Sequence, residues 1–180
     1  MKILVVVDVQ NDFVNGSLGS EQAQQAIPYM IKEIEKLTEN DRLYVTYDTH
    51  GADYLITNEG KHLPIEHCIV GSEGHNIYPD IQKALNNAAT EHYHTVIKQT
   101  FGSFDLLNKI RNYYLLAEKD LEIELIGLCT DICVITNALL LKTAFPEAQI
   151  SVCANACAGV TPTLHHQALD VMESCQIKII

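Results

Sequence analysis

The chain has 180 residues, of which 47% are hydrophobic, and it carries a formal net charge of −11. This length supports one well-buried domain and is short for two, so we expect a single domain over residues 1–180. The acidic balance argues against nucleic acid as a partner, because binding to the phosphate backbone requires clustered lysine and arginine.

The first residues and the cysteines bear on the cellular compartment. Residues 1–7 form an apolar run that is too short for a signal peptide, and Asp8 follows it without a small-residue cleavage site. No apolar run approaches the roughly 18 residues that a membrane-spanning helix needs. The six cysteines show no C-x-x-C spacing, and without a secretion signal we expect them to be reduced. The sequence therefore predicts a cytoplasmic protein with no membrane partner.

Strand-like apolar segments alternate with amphipathic segments along the chain. Strands are predicted at residues 3–9, 43–48, 95–98, 122–128, 149–153 and 176–180. Helices are predicted at residues 21–37, 77–88, 104–117, 132–145 and 164–174. This alternation favours right-handed crossovers and an α/β fold of three layers, in which a doubly wound, mostly parallel six-stranded sheet has helices on both faces. The one long connection, residues 49–76, shows little regular pattern, and a loop of that length is usually functional.

Three reactive side chains fall where predicted strands end. Asp8 lies near the end of the first strand, Lys98 closes the third, and Cys133 follows the fourth in the first turn of a helix. Open α/β sheets place their sites at the carboxyl ends of the strands, so we expect these side chains to converge. A helix N-terminus favours an anion, which predicts a lowered pKa and a nucleophilic thiol for Cys133. Each residue alone could be structural, but their coincidence favours a catalytic set.

The long connection offers ligands for one divalent metal ion. Asp48 and His50 are two residues apart at the end of the second strand, so their side chains point the same way. Glu59 and His67 can fold back toward them. Two imidazoles with one or two carboxylates suit zinc, or manganese or iron with additional waters.

Together these residues resemble the isochorismatase-like cysteine hydrolases, which have a Rossmann-like fold, and within them the nicotinamidases. The resemblance covers nearly the whole chain. It rests on the segments at residues 8–13 (DVQNDF), 48–50 (DTH), 66–68 (EHC), 70–74 (VGSEG), 98–104 (KQTFGSF) and 127–134 (GLCTDICV). The last of these segments is the most specific.

The resemblance implies roles for particular residues. Asp8, Lys98 and Cys133 match the family's catalytic triad. The implied metal ligands are Asp48, His50, Glu59 and His67. A cis peptide bond is implied between Leu128 and Cys129, and the N–H groups of Cys129 and Cys133 would form an oxyanion hole. Nicotinamidases often carry an aromatic residue just before the metal-binding histidine, whereas residues 62–67 (HLPIEH) contain none. The pocket for the substrate would instead be walled by Phe13, Phe101 and Phe104.

The activity implied is deamidation of nicotinamide to nicotinate and ammonia through a thioester, with the small amide as the partner and the metal binding its ring nitrogen. Another cysteine amidase acting on carbamoyl or ureido compounds is an open alternative, as is the less favoured isochorismatase-type hydrolysis of a vinyl ether. A doubly wound binding module without activity is the third alternative. Since no G-x-G-x-x-G or P-loop follows a strand, nucleotide binding finds no support. We also expect a homo-oligomer.

Overall fold

The structure, a computed structural model, describes residues 2–117 and 121–180. Its strands are β1 (Lys2–Val7), β2 (Arg42–Asp48), β3 (Tyr93–Lys98), β4 (Glu122–Leu128), β5 (Gln149–Ala158) and β6 (Lys178–Ile179). Its α-helices are α1 (Asn11–Val14), α2 (Glu21–Glu35), α3 (Asn58–His62), α4 (Pro79–Asn86), α5 (Phe104–Ala117), α6 (Ile135–Ala144) and α7 (Pro162–Ser174). Among the residues described, no helix is both long and apolar enough to cross a membrane.

The six strands form one sheet in the order β3-β2-β1-β4-β5-β6, and every pair of neighbours is parallel. The predicted doubly wound sheet is confirmed. The strand order reverses between β1 and β4, which lie side by side although they are far apart in sequence. A crevice opens at the carboxyl ends of the strands at such a reversal, and ligands of open α/β sheets bind there.

Both faces of β1 are buried, which explains its nearly continuous apolar sequence. Ile3, Val5 and Val7 pack with residues of α5, α6 and α7, whereas Leu4 and Val6 pack with residues of α2 and α4. Because successive side chains of a strand point to opposite faces, this alternation places helices on both sides of the sheet. Each such aliphatic side chain contributes roughly 1.5–3 kcal/mol on burial, so β1 is a rigid support for the residues at its end.

The structure differs from the sequence-based prediction mainly in the connections. The segment 49–76 contains α3 and a 3₁₀ turn at Tyr54–Ile56, and β5 continues to Ala158 past a register shift opposite β4. The helix predicted at 132–145 starts with a wide turn of π-helix, Thr130–Val134, and becomes α-helical at Ile135. Helical segments of one or two turns are too short to show a 3.6-residue period, which is why the sequence does not reveal them.

Candidate active site

Asp8, Lys98 and Cys133 meet at the carboxyl edge of the sheet, and all three are buried. The ammonium nitrogen of Lys98 lies 2.6 Å from Asp8 Oδ2 and 3.5 Å from Cys133 Sγ. The hydroxyl of Thr46 donates to Asp8 Oδ1 at 2.6 Å. Asp8 directly follows β1 and has a φ of 49°, an uncommon value for a residue with a side chain. The backbone thus turns at Asp8, and its carboxylate faces the lysine and the thiol.

The electrostatics of Cys133 differ from the prediction. Burial and the carboxylate of Asp8 raise the pKa of the Cys133 thiol well above its ordinary value, and Lys98 offsets them only in part. The predicted lowering of this pKa is therefore wrong, because desolvation outweighs the helix N-terminus. Burial also raises the pKa of Asp8 against the opposing charge of Lys98. The resting site thus holds a protonated thiol beside a carboxylate of increased basicity.

The turn that carries Cys133 is closed by hydrogen bonds from both sides. The N–H groups of Ile132 and Val134 both donate to the carbonyl oxygen of Cys129 at 3.1 Å. The side-chain amide of Asn137, which is fully buried, donates to the carbonyl oxygen of Cys133 at 2.8 Å. The Leu128–Cys129 peptide bond is cis, as the resemblance implies. The structure therefore places Cys129 and Cys133 on one short turn, and their role as an oxyanion hole stays a prediction.

Asp48, His50 and His67 form the described group of side chains that could hold a metal ion, with all their ligand atoms within 4.8 Å of one another. Asp48 Oδ2 lies 3.0 Å from His50 Nε2 and 3.5 Å from His67 Nε2. The other ring nitrogen of His67 contacts the carbonyl oxygen of Ile65 at 2.8 Å. Because a carbonyl oxygen only accepts, Nδ1 carries a proton, and the neutral ring would present the lone pair of Nε2 to an ion, as partners of metal-binding histidines usually ensure.

Glu59 approaches the same point from the first turn of α3. Its Oε1 lies 3.8 Å from the Nε2 atoms of both His50 and His67. The hydroxyl of Thr57 caps this helix by accepting the N–H of Gly60 at 3.0 Å. Ligands about 2.0–2.1 Å from a tetrahedral ion are about 3.4 Å apart, which is close to the Asp48–His50 and Asp48–His67 distances. Glu59 does not belong to the group whose ligand atoms all lie within 4.8 Å of one another, so its role as a fourth ligand stays a prediction.

Lys98 connects the two clusters, because its ammonium nitrogen also lies 3.4 Å from Asp48 Oδ1. Burial would raise the pKa of Asp48, but hydrogen bonds from His50 and His67 and the charge of Lys98 hold that pKa below its ordinary value. Asp48 is therefore ionised, the form that binds a metal. One buried cation thus contacts the thiol, the carboxylate beside it and a carboxylate of the candidate metal site.

A model of the isochorismatase domain matches residues 2–180. The chain belongs to this family. An uncharacterized isochorismatase family protein PncA of Bacillus subtilis (strain 168) is 29% identical over 147 residues, which cover 77% of this chain and 76% of that protein. The crystal structure of nicotinamidase PncA from Bacillus subtilis is 27% identical, with a TM-score of 0.83 over 99% of this chain and 98% of that one. A pyrazinamidase/nicotinamidase from Streptococcus mutans UA159 is 26% identical, also with a TM-score of 0.83, over 100% of both chains.

In this isochorismatase-family chain a cavity of about 1160 Å³ opens beside Cys133 and the candidate metal ligands. Phe13 is buried against the ring of His67, and Phe101, 49% exposed, lies at the wall; both line the cavity. Phe104 is 74% exposed and does not belong to the described lining, so the structure does not bring it to the pocket. Phe104 is the first residue of α5, and the hydroxyl of Ser103 caps this helix by accepting the N–H of Leu106 at 3.1 Å.

The sequence-based reasoning missed several buried polar residues that hydrogen-bond to residues of the candidate site. Gln10 is fully buried; its amide nitrogen donates to the carbonyl oxygens of Asp48 at 2.8 Å and His75 at 2.9 Å, and its oxygen accepts the N–H of Asp48 at 2.8 Å. Thr46 and Asn137 are also fully buried. Their signal in the sequence is a single uncharged polar residue within an apolar segment, which requires a hydrogen-bond partner when buried.

Proposed function

We propose that this chain is a metal-dependent cysteine amidohydrolase that converts nicotinamide to nicotinate and ammonia. The observation that carries the proposal is the position of Lys98, within 3.5 Å of Asp8, Asp48 and Cys133. A nucleophile with its base adjoins a candidate metal site within one cavity. The names nicotinamidase and pyrazinamidase, given to solved structures 26–27% identical to this chain, support an aromatic amide as the substrate.

The chemistry follows from the buried thiol and its neighbours. Asp8 accepts the thiol proton as Cys133 Sγ attacks the amide carbon, and its raised pKa makes this transfer easier. The N–H groups of Cys129 and Cys133 stabilise the oxyanion that forms, at roughly 3–4 kcal/mol per donor. Asp8 then gives the proton to the departing ammonia, accepts another from the water that hydrolyses the thioester, and returns that proton to Cys133 Sγ as the C–S bond breaks. Lys98 remains charged throughout and stabilises the negative charge that moves between Sγ and Asp8.

The candidate metal site would serve orientation. Asp48, His50 and His67 would hold one divalent ion, with Glu59 as a fourth ligand, and their nitrogen and oxygen atoms suit zinc, with manganese or iron as alternatives. When bound, the ion supplies a ligand position for the ring nitrogen of a pyridine amide. Fixing the ring in this way places the amide carbon at the thiol, and such positioning can contribute several kcal/mol to the rate.

The lining of the cavity favours an uncharged substrate over the alternatives. Among the described residues that line it there is no lysine or arginine, whereas Asp53 and Glu59 both contribute carboxylates. A substrate with a free carboxylate, such as isochorismate or an N-carbamoyl amino acid, would find no lysine or arginine among these residues to pair with, and burying a charge that no side chain pairs is costly. The nicotinamidase reaction is therefore favoured over the carbamoyl and isochorismatase alternatives. The cytoplasmic location and the homo-oligomer stay predictions.

The test is ammonia release from nicotinamide and from benzamide by the purified, metal-loaded protein. Benzamide has the same shape without the ring nitrogen, so it loses the contact to the metal. The loss of one charge-assisted contact of this kind is worth about 1.5–3 kcal/mol, and we expect kcat/KM for benzamide to be at least about tenfold lower. Cys133→Ala should abolish release from nicotinamide while it keeps the fold and the bound metal.

The same measurement separates the competing activities. Equal rates on the two amides would remove the role proposed for the metal. Activity on aliphatic carbamoyl or ureido compounds, without activity on nicotinamide, would assign the chain to the other cysteine amidases. Turnover by Cys133→Ala within a fewfold of the wild-type rate would contradict the covalent mechanism.

A further inference from the structure

The turn that carries Cys133 is attached to the start of α7 by two side-chain hydrogen bonds. Thr130 is fully buried, and its hydroxyl lies 2.8 Å from His165 Nδ1. The carboxylate of Asp131 accepts the N–H of Val160 at 2.9 Å. Two consecutive residues of the turn are thus held, one by the first turn of α7 and the other by the segment that joins β5 to α7. Neither contact involves Asp8, Lys98 or a candidate metal ligand.

This junction is closely packed at Gly159. A Cβ atom added to Gly159 would lie 2.7 Å from Asp131 Oδ1, 2.9 Å from the backbone nitrogen of His165 and 3.0 Å from its Cα. Real Cβ atoms hardly ever come so close, so only a glycine lets the chain at position 159 lie directly against the backbone of His165 and the carboxylate of Asp131. The His165 ring is accordingly presented to Thr130 from a fixed backbone. This close contact fixes the position of His165, so its hydrogen bond holds the side chain of Thr130 in one orientation.

We propose that His165 is a positioning residue for the turn that carries the nucleophile, acting through its hydrogen bond to Thr130. The inference rests on the proposed function, because the atoms that it positions are those of the amidase mechanism. Thr130 directly follows Cys129 and lies in the same π-helical turn as Cys133. Its orientation therefore sets the direction of the Cys129 N–H and the place of Cys133 Sγ. Reacting groups displaced by 1 Å can lose about a hundredfold in rate.

His165 acts at a distance from the substrate. It is only partly buried and does not belong to the described lining of the cavity. The hydroxyl of Thr130, in contrast, has no contact with solvent, and a buried hydroxyl needs a hydrogen-bond partner. If the imidazole is removed, the hydroxyl must find another partner. Thr130 then rotates or shifts and moves the adjoining peptide groups of the turn.

The test compares variants at His165 with a neighbour on the same helix. We expect His165→Ala to lower kcat for nicotinamide about tenfold, the loss that corresponds to one ordinary hydrogen bond of about 1.4 kcal/mol, with KM and bound metal unchanged. His165→Asn should recover most of kcat, because the Asn amide reaches the position of Nδ1. The control is His166→Ala, which removes an exposed ring beside His165 and should leave kcat unchanged.

Thr130→Val removes the other partner of this hydrogen bond, since valine keeps the shape of the side chain without the hydroxyl. Combined with His165→Ala it should lower kcat no further than either change alone, because both remove the same hydrogen bond. Losses that multiply in the double variant would overturn the proposal. So would a His165→Ala protein with wild-type kcat, or one whose kcat His165→Asn does not improve.

A second measurement does not depend on turnover. Hydrogen exchange followed by mass spectrometry should show faster exchange in the peptide spanning residues 128–135 of His165→Ala, and wild-type exchange in His166→Ala and His165→Asn. If wild type releases no ammonia from nicotinamide, the proposed function fails, while the exchange data still decide the inference. Unchanged exchange of this peptide in His165→Ala would show that His165 does not hold the turn.

Discussion

The Lys98 ammonium is the shared partner of two buried carboxylates, and its removal should destabilise the fold as well as end catalysis. In Lys98→Met the side chain keeps its approximate length and loses its charge. Asp8 then loses a partner at 2.6 Å and Asp48 one at 3.4 Å, while Asp8 retains only the hydroxyl of Thr46 as a close hydrogen-bond donor among the described contacts. Removal of one member of a buried ion pair costs about 3–5 kcal/mol because the remaining charge is left buried and uncompensated.

For a chain of this length, a loss of about 3–5 kcal/mol lowers the melting temperature by roughly 6–20 °C. We expect Lys98→Met to lose more of its free energy of unfolding after chelation than with metal bound, since a bound cation would compensate the charge of Asp48. The double variant Asp8→Asn/Lys98→Met should recover part of the stability, because it also removes the Asp8 charge, yet it should remain inactive.

Urea denaturation followed by circular dichroism, with and without chelator, measures these differences, and ammonia release measures activity. A free energy of unfolding for Lys98→Met within about 1 kcal/mol of wild type would refute this account of the site.

Three further predictions concern the supports of the site. His50→Ala should purify with far less than one metal ion per chain, whereas the control His92→Ala, which changes an exposed histidine, should keep its metal ion. Elemental analysis measures the metal content. A wild-type protein that holds no metal even after zinc or manganese is added would refute the site. Gly127 has a φ of 121°, and a Cβ there would overlap the Val7 carbonyl. Gly127→Ala should therefore lower the free energy of unfolding, measured in urea, by roughly 3 kcal/mol, against about 1 kcal/mol for the unhindered Gly71→Ala. Equal losses in the two variants would contradict this reasoning. Gly60→Ala would press α3 against the Tyr54 carbonyl and displace Glu59. Titration should then show metal binding about tenfold weaker, whereas the control Lys61→Ala should bind metal as wild type does. Unchanged affinity in Gly60→Ala would show that Glu59 is not a ligand.

The sequence predicts the parts of the site that depend on strand ends. The buried run of β1 and the polar residues that close β2 and β3 identify one edge of one sheet, because parallel strands bring their carboxyl ends together. Asp8, Lys98 and Cys133 are consequently found near one another, as expected, and Asp48 at the end of β2 lies beside Lys98 as well. The convergence of His50 and His67 is also as predicted, although the two residues are separated by the segment that contains α3.

What the sequence does not reveal depends on tertiary contacts. The buried amide of Gln10 contacts the backbone of Asp48, which is distant in sequence, and no local pattern encodes such a pair. Phe104 lies outside the described lining of the pocket although Phe101, three residues earlier, belongs to it, and sequence spacing alone does not separate the two. The direction of the Cys133 pKa shift is missed for a related reason, since it is a sum over burial and several charges rather than a property of the helix N-terminus.

The charges that set the pKa of Cys133, the proposed nucleophile, include one from the candidate metal site. The carboxylate of Asp48 is one of the charges that raise the pKa of Cys133, after burial and Asp8. A divalent cation bound by Asp48 would offset this charge, so metal loading should lower the pKa of Cys133 and increase its thiolate fraction at a given pH. Because the thiolate is the reactive form, iodoacetamide should alkylate Cys133 faster in the metal-loaded protein than after chelation. The exposed Cys175 is the internal control and should react at one rate in both states. Mass spectrometry of the two peptides measures the ratio, and a ratio that chelation leaves unchanged or increases in the folded protein would show that the metal site and the thiol are electrostatically independent.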